Sequence, residues 1–206
     1  MAGGTPHRLL AERVRRPLLI GGLLLVVLAA AWGLLSVTKP AWFLRAVYPL
    51  SHTAALRAAA RKNALDPALV AAIIYQESRF RDGLSSHQGA VGLMQVLPST
   101  ARDIARKTGG TTFVASDLVD ARVNILYGCY YLRQLLDHYH GSEAAAVAAY
   151  NAGESNVDAW LSTTGGKLTP RAIPFSETRD YVTRVLALRK LYRRAYGARL
   201  GPAPCG

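Results

Sequence analysis

Residues 66–80, "DPALVAAIIYQESRF", place a carboxylate at the end of a stretch that is otherwise apolar. Asp66-Pro67 reads as a helix start, with Asp66 as N-cap and Pro67 at the first helical position, where a missing N–H costs nothing. From there Val70, Ile73, Ile74 and Glu77 recur at spacings of three, four and seven residues, which share one helical face. Glu77 thus lies on a stripe with three aliphatic side chains. At a helix end near Arg79 it could swing into water, as most Glu side chains do. Burial among those aliphatics would instead disfavour the ionised form and raise its pKa. A carboxyl group still protonated near neutral pH is suited to general-acid catalysis.

The next segment, "DGLSSHQGAVG" at 82–92, is a Gly-rich loop. Gly89, Ala90 and Gly92 would let backbone approach a ligand closely. Ser85, Ser86 and Gln95 supply neutral donors and acceptors fitted to sugar hydroxyls and acetamides, and Met94 an adaptable apolar wall. An ordinary turn with a core Met reads equally well from the Gly spacing alone.

Helical periods dominate the rest. Helices are expected over 54–61 (capped by Ser51 or Thr53), from about 99 to 107 after Pro98, over 123–140 with Gly141 as its stop, over 143–153 with Ser142 as cap, over about 156–161, and over 176–196 with Ser176 as cap. The mild strand candidate is "TTFVA" at 111–115. The fold class is all-α or nearly so.

The chain has 206 residues, enough for one domain with an appendage. Its 25 Lys and Arg against 13 Asp and Glu give a formal charge of +12, which suggests polyanionic surroundings. Cys129 and Cys205 form no metal spacing, and nothing requires a metal or cofactor. Pro17 to Thr38 carries no charge and as a helix would reach about 33 Å, enough to cross a bilayer. Arg8, Arg13, Arg15 and Arg16 precede it against Glu12, while Lys39 and Arg45 follow more sparsely, so the N-terminus is expected in the cytoplasm. A signal peptide cleaved near Ala29-Ala30-Ala31 is the competing reading. Either way the folded part works outside the cytoplasm, which disfavours nucleic acid as a partner. The expected organisation is a basic segment 1–16, a membrane anchor 17–38, a linker 39–50 broken by Pro40 and Pro49, a catalytic domain 51–198 and a tail 199–206.

Three segments together are distinctive. "ESRFRDGLSSHQGAVGLMQVLPSTA" (77–101), "AAYNAG" (148–153) and "IPFSETRDYVTRVL" (173–186) occur in that order. They resemble the signatures of the SLT-type lytic transglycosylases of glycoside hydrolase family 23, and the resemblance covers roughly 56–192. It implies a mostly helical, lysozyme-like domain with a cleft, here behind a single N-terminal membrane helix. It implies peptidoglycan glycan strands as substrate, cut between N-acetylmuramic acid and N-acetylglucosamine. By resemblance Glu77 is the catalytic acid and base, and Ser86, Gly92, Met94, Gln95, Tyr150, Asn151 and Glu177 form the substrate site. Where the family often has Asn-Pro this chain has Arg81-Asp82, although the spacing from Glu77 to Gln95 is kept.

The reaction so implied needs no water. Glu77 would protonate the glycosidic oxygen, and its conjugate base would take a proton from the C6 hydroxyl of the muramoyl sugar, closing a 1,6-anhydro ring. Hydrolytic glycosidases normally need two carboxylates, whereas an internal hydroxyl at high effective concentration can dispense with the second. Glu177, in the first turn of the last helix, is favoured as an ion there and suits capping or orientation better than proton donation. Tyr150 is either a core aromatic or places its hydroxyl near Glu77 or the glycan. His87, in the loop, reads as incidental. Arg179, Arg184, Arg189, Lys190, Arg193 and Arg194 form a solvated face or a surface for anionic wall polymers. The alternatives to a transglycosylase are a muramidase of the same fold and a non-catalytic wall-binding protein.

Overall fold

A computed structural model describes residues 6–110 and 112–203. Cys205, the last residues of the expected tail, and Thr111 lie outside the described residues, as do the first five residues of the basic segment. The described residues are helical, with no strand among them: α1 (Pro6–Thr38), α2 (Ala41–Val47), α3 (Thr53–Lys62), α4 (Pro67–Ser78), α5 (Pro98–Thr108), α6 (Ala121–His138), α7 (Glu143–Ala152), α8 (Glu154–Thr163) and α9 (Ser176–Leu200). Single 3-10 turns lie at Ala115–Val119 and Pro170–Ala172. The expected strand at 111–115 is therefore turn and 3-10 helix over its described part.

The chain divides into two compact units after Leu44. In the first, α1 carries an apolar, uncharged window from Leu18 to Leu35, long enough to cross a membrane and with none of its residues buried. Trp32 and Trp42 each meet Phe43 edge-on, with ring centroids 6.5 and 6.0 Å apart. The stretch expected to be a broken linker is thus helical from Ala41 to Val47.

In the second unit α4 is the central helix. Its spacing predicts one apolar stripe, but Pro67 through Ile74 are all buried, because small Ala68, Ala71 and Ala72 let neighbours close on its other faces. Each buried aliphatic contributes about 1.5–3 kcal/mol. Asp66 caps the helix as expected, accepting from the Ala68 N–H at 2.8 Å. Arg79 ends it in the left-handed conformation, φ 53°.

α4 packs chiefly on α9, α7 packs on α6, α8 and α9, and α3 on α6. An aromatic cluster closes one side: Tyr75 lies 5.3 Å from Tyr48 and 6.1 Å from Tyr192, and Tyr192 stacks 5.8 Å from Tyr196. Tyr192 donates to the Pro49 carbonyl and Tyr196 to that of Tyr48, both at 2.9 Å. Arg45 donates to the Ala195 carbonyl at 2.8 Å. Residues 45–50, expected as linker, are thereby stitched to α9.

Two caps and one helix end differ from expectation. α3 begins after His52, with no capping side chain from Ser51 or Thr53. Ser176 is the first residue inside α9, with Phe175 at the cap, and α9 runs to Leu200 beyond the expected Tyr196. Ser142 does cap α7, accepting from the Ala145 N–H at 3.4 Å.

Candidate active site

Glu77 sits in the last turn of α4, half-buried. Tyr181, in the second turn of the antiparallel α9, donates its hydroxyl to Glu77 Oε1. Oε2 has no hydrogen bond among the described residues. Removal from water pushes the Glu77 carboxyl up to about 7, partly offset by the Tyr181 hydrogen bond, which favours the ionised form. Sequence reasoning does not single out Tyr181, although it stands in "ETRDYV", one helical turn after Glu177 and on the same face. Glu177 itself is exposed and has no hydrogen bond among the described residues.

The loop from Leu84 to Leu97 is folded by its own backbone. Ser86 and Ala90 exchange hydrogen bonds at 2.9–3.0 Å, the Ser86 hydroxyl accepting from the Ala90 N–H. Val91 and Val96 pair through two bonds of 3.0 Å. Asn124 of α6, wholly buried, holds the loop from beneath: its Oδ1 accepts from the Met94 N–H at 2.8 Å, and its Nδ2 donates to the Val91 and Leu118 carbonyls at 2.7 and 3.0 Å. Tyr150, in the last turn of α7, donates to the Met94 carbonyl at 2.8 Å. The Met94 peptide is thus gripped on both sides.

This geometry shows how two of the expected site residues are packed. Met94 is 0 % exposed, its sulfur lying against Gly128, where an added Cβ would come within 2.6 Å of it. It anchors the loop from within. Gly92, φ +80°, lies against protein, since a Cβ there would fall 2.3 Å from Asn124 Nδ2. Its small size serves the loop's own packing. Gln95, φ 46°, spends its side-chain N–H groups on the Gly92 and Leu84 carbonyls at 2.8 and 3.1 Å.

Gln95, Tyr150 and Asn151 do come together. With Leu97, Thr100 and Tyr131 they line a cavity of about 290 Å³. The Tyr150 and Tyr131 rings are 5.4 Å apart. Burial, with the nearby Glu77 charge next, holds the Tyr150 hydroxyl well above its ordinary pKa, so it is a neutral donor. Cys129 is buried and its thiol is pushed far up by burial, which leaves it inert. Among the described residues no three His, Cys, Asp or Glu side chains could hold a metal ion.

Of the basic residues of α9, Arg179 donates to the Ile173 carbonyl at 3.1 Å, and Arg189 and Arg193 bond Asp66. The solvated basic face is narrower than the sequence suggests, with Arg184 and Lys190 exposed on it.

An all-helical, lysozyme-like frame holding one half-buried acid with a tyrosine on one oxygen, and a cavity lined by Gln95, Tyr131, Tyr150 and Asn151, delimits the class. The profile of the transglycosylase SLT domain matches residues 54–172, and the chain belongs to that family. It is 33% identical over 155 residues to the soluble lytic murein transglycosylase of Salmonella typhimurium, covering 73% of this chain and 24% of that protein. It is 33% identical to the membrane-bound lytic murein transglycosylase C of Cronobacter sakazakii, over 68% of this chain and 45% of the relative. The solved structure of an inactive mutant of the lytic transglycosylase Slt from Pseudomonas aeruginosa superposes with a TM-score of 0.69 at 35% identity, over 79% of this chain and 27% of that one. The chain thus spans between a quarter and a half of the length of these relatives.

Proposed function

We propose that this protein is a membrane-tethered peptidoglycan lytic transglycosylase in which Glu77 acts first as acid and then as base. The observation that carries the reading is the Glu77 carboxyl, raised to about 7 by burial with one oxygen held by Tyr181. Near neutral pH about half the molecules carry the proton, which Oε2 gives to the glycosidic oxygen as an oxocarbenium-like centre develops at C1 of the muramoyl sugar. The carboxylate so formed is stabilised by the Tyr181 hydroxyl and accepts the C6 hydroxyl proton. The C6 oxygen then closes the 1,6-anhydro ring.

Glu177, exposed in the first turn of α9, is assigned to orienting the glycan strand and not to proton donation. Gln95, Tyr150 and Asn151 around their cavity are assigned to the glycan strand, together with Ser86 on the preceding loop. Met94 and Gly92 support that loop from within. α1 serves as the anchor, with its basic N-terminal end cytoplasmic and the catalytic unit outside, and anionic wall polymers are met through Arg184 and Lys190. Retention of the anchor is supported by the likeness to a relative named membrane-bound.

Digestion of purified peptidoglycan by the full chain tests the reaction through product masses. The expected muropeptides are lighter by one water than hydrolytic ones. Hydrated reducing ends would replace this reading by a muramidase, and no release at all by a wall-binding protein.

Tyr181→Phe removes the hydrogen bond that favours the Glu77 anion. A bond to a charged acceptor is worth about 1.5 kcal/mol, so the alkaline fall in turnover moves about one pH unit higher and kcat drops roughly tenfold. A pH–rate profile of the variant checks both.

A further inference from the structure

The helices that carry Glu77, Tyr150 and Tyr181 are joined a second time, away from the site. At the start of α4 the buried Asp66 accepts from Arg189 Nε at 2.8 Å and from Arg193. At the start of α7, Glu143 accepts from Arg189 Nη1 at 2.5 Å. One guanidinium of α9 therefore clasps an acid from each of the two helices that run antiparallel to it. Eleven residues separate Asp66 from Glu77, seven separate Glu143 from Tyr150 and eight separate Tyr181 from Arg189. At ~1.5 Å per residue the clasp lies about 10–16 Å along the helices from the candidate site.

We propose that Arg189 is a positioning residue for the proton-transfer site: by bonding Asp66 and Glu143 at once it sets the axial register of α4 and α7 on α9, and so holds Tyr181 against Glu77. The inference rests on the reading of Glu77 as proton donor.

Three physical points support it. The buried side chains of α4 and α9 between the two levels, Val70, Ile73 and Ile74 on one and Val182, Val185 and Leu188 on the other, are aliphatic. Such contacts are non-directional and fix no hydrogen-bonded register of their own. A guanidinium presents its donors in a fixed plane, so two carboxylates bonded to one fork cannot shift independently, which a lysine ammonium would allow. Finally, an ion pair on a buried carboxylate is weak evidence of net stability, because desolvation offsets attraction. What remains is geometry, and a slip of one ångström or so at Tyr181 would break its contact with Glu77.

The test is a double-mutant cycle on the full chain in detergent, with Arg189→Met keeping the apolar stem. If Arg189 works through Tyr181, kcat falls roughly tenfold with KM within about twofold, and the Glu77 titration moves up, as in Tyr181→Phe. Adding Arg189→Met to Tyr181→Phe then changes kcat by less than about twofold, whereas sites this far apart normally add to about a hundredfold. Arg189→Lys restores less than half of the loss. Glu143→Ala, which removes one arm and leaves the α4 cap intact, gives a smaller shift in the same direction and decides the matter should Arg189→Met fail to fold. Additive effects, a downward titration shift, or a lowered melting temperature with unchanged kcat and titration would overturn the proposal. The titration is read on the protein alone, so absence of anhydro products from the wild type would defeat the functional reading and leave Arg189 still testable.

Discussion

Glu77→Gln abolishes peptidoglycan turnover, by about a thousandfold or more, while making the protein more stable in alkali. General acid–base catalysis by a positioned group contributes roughly 10²–10⁴-fold, and here one residue supplies both the donor and the acceptor. Glutamine keeps the shape and an oxygen for the Tyr181 hydroxyl, so the fold and glycan binding persist. The stability effect has the opposite sign. The Glu77 carboxyl is raised from 4.5 to about 7 in the folded protein, so folding favours its protonated form. That stability is fully present below pH 4.5 and is lost as pH rises through 7. At ~1.36 kcal/mol per unit, the shift corresponds to roughly 3 kcal/mol at pH 8. Denaturant melts of the two proteins should diverge between those pH values and coincide in acid. Wild-type turnover in the variant would remove Glu77 from the chemistry.

The second large effect is on the loop. Asn124→Ala leaves the Met94 N–H and the Leu118 carbonyl without their partner in a buried place, while the Val91 carbonyl keeps only the Val96 N–H. An unsatisfied buried group costs about 1–3 kcal/mol, so the total is about 3–5 kcal/mol after some relaxation. Binding of glycan should weaken in parallel, because Ser86 and Gln95 ride on the loop that Asn124 supports. Thermal unfolding together with KM checks this, and a loss under 1 kcal/mol would mean that the grip on Met94 is incidental.

Much of this fold is legible in one dimension because helices are local objects. Asp66-Pro67, Gly141 and Ser142 mark ends by their own chemistry, and the spacing from Val70 to Glu77 puts the acid on a stripe with aliphatic side chains, while a helix end also offers it a way into water. What stays hidden is non-local. Tyr181 meets Glu77 from 104 residues away, and nothing in its spacing says that it, and not Glu177 one turn earlier, reaches the carboxylate. Met94 and Gly92 show a related limit. A small or flexible residue in a Gly-rich loop can face a ligand or face its own protein, and only the position of Asn124, some 30 residues on, decides between them. The basic helix shows the same limit: Arg189 and Arg193 look like surface charge until Asp66 is found beneath them.

The most direct measurement is the titration of the Glu77 carboxyl itself, followed by the infrared band of the protonated acid that disappears in Glu77→Gln. A midpoint near 7, moving upward in Tyr181→Phe, is the result expected of an acid kept protonated by burial. A midpoint in the ordinary carboxylate range, between about 4 and 5, would contradict it and leave the site without its proton donor.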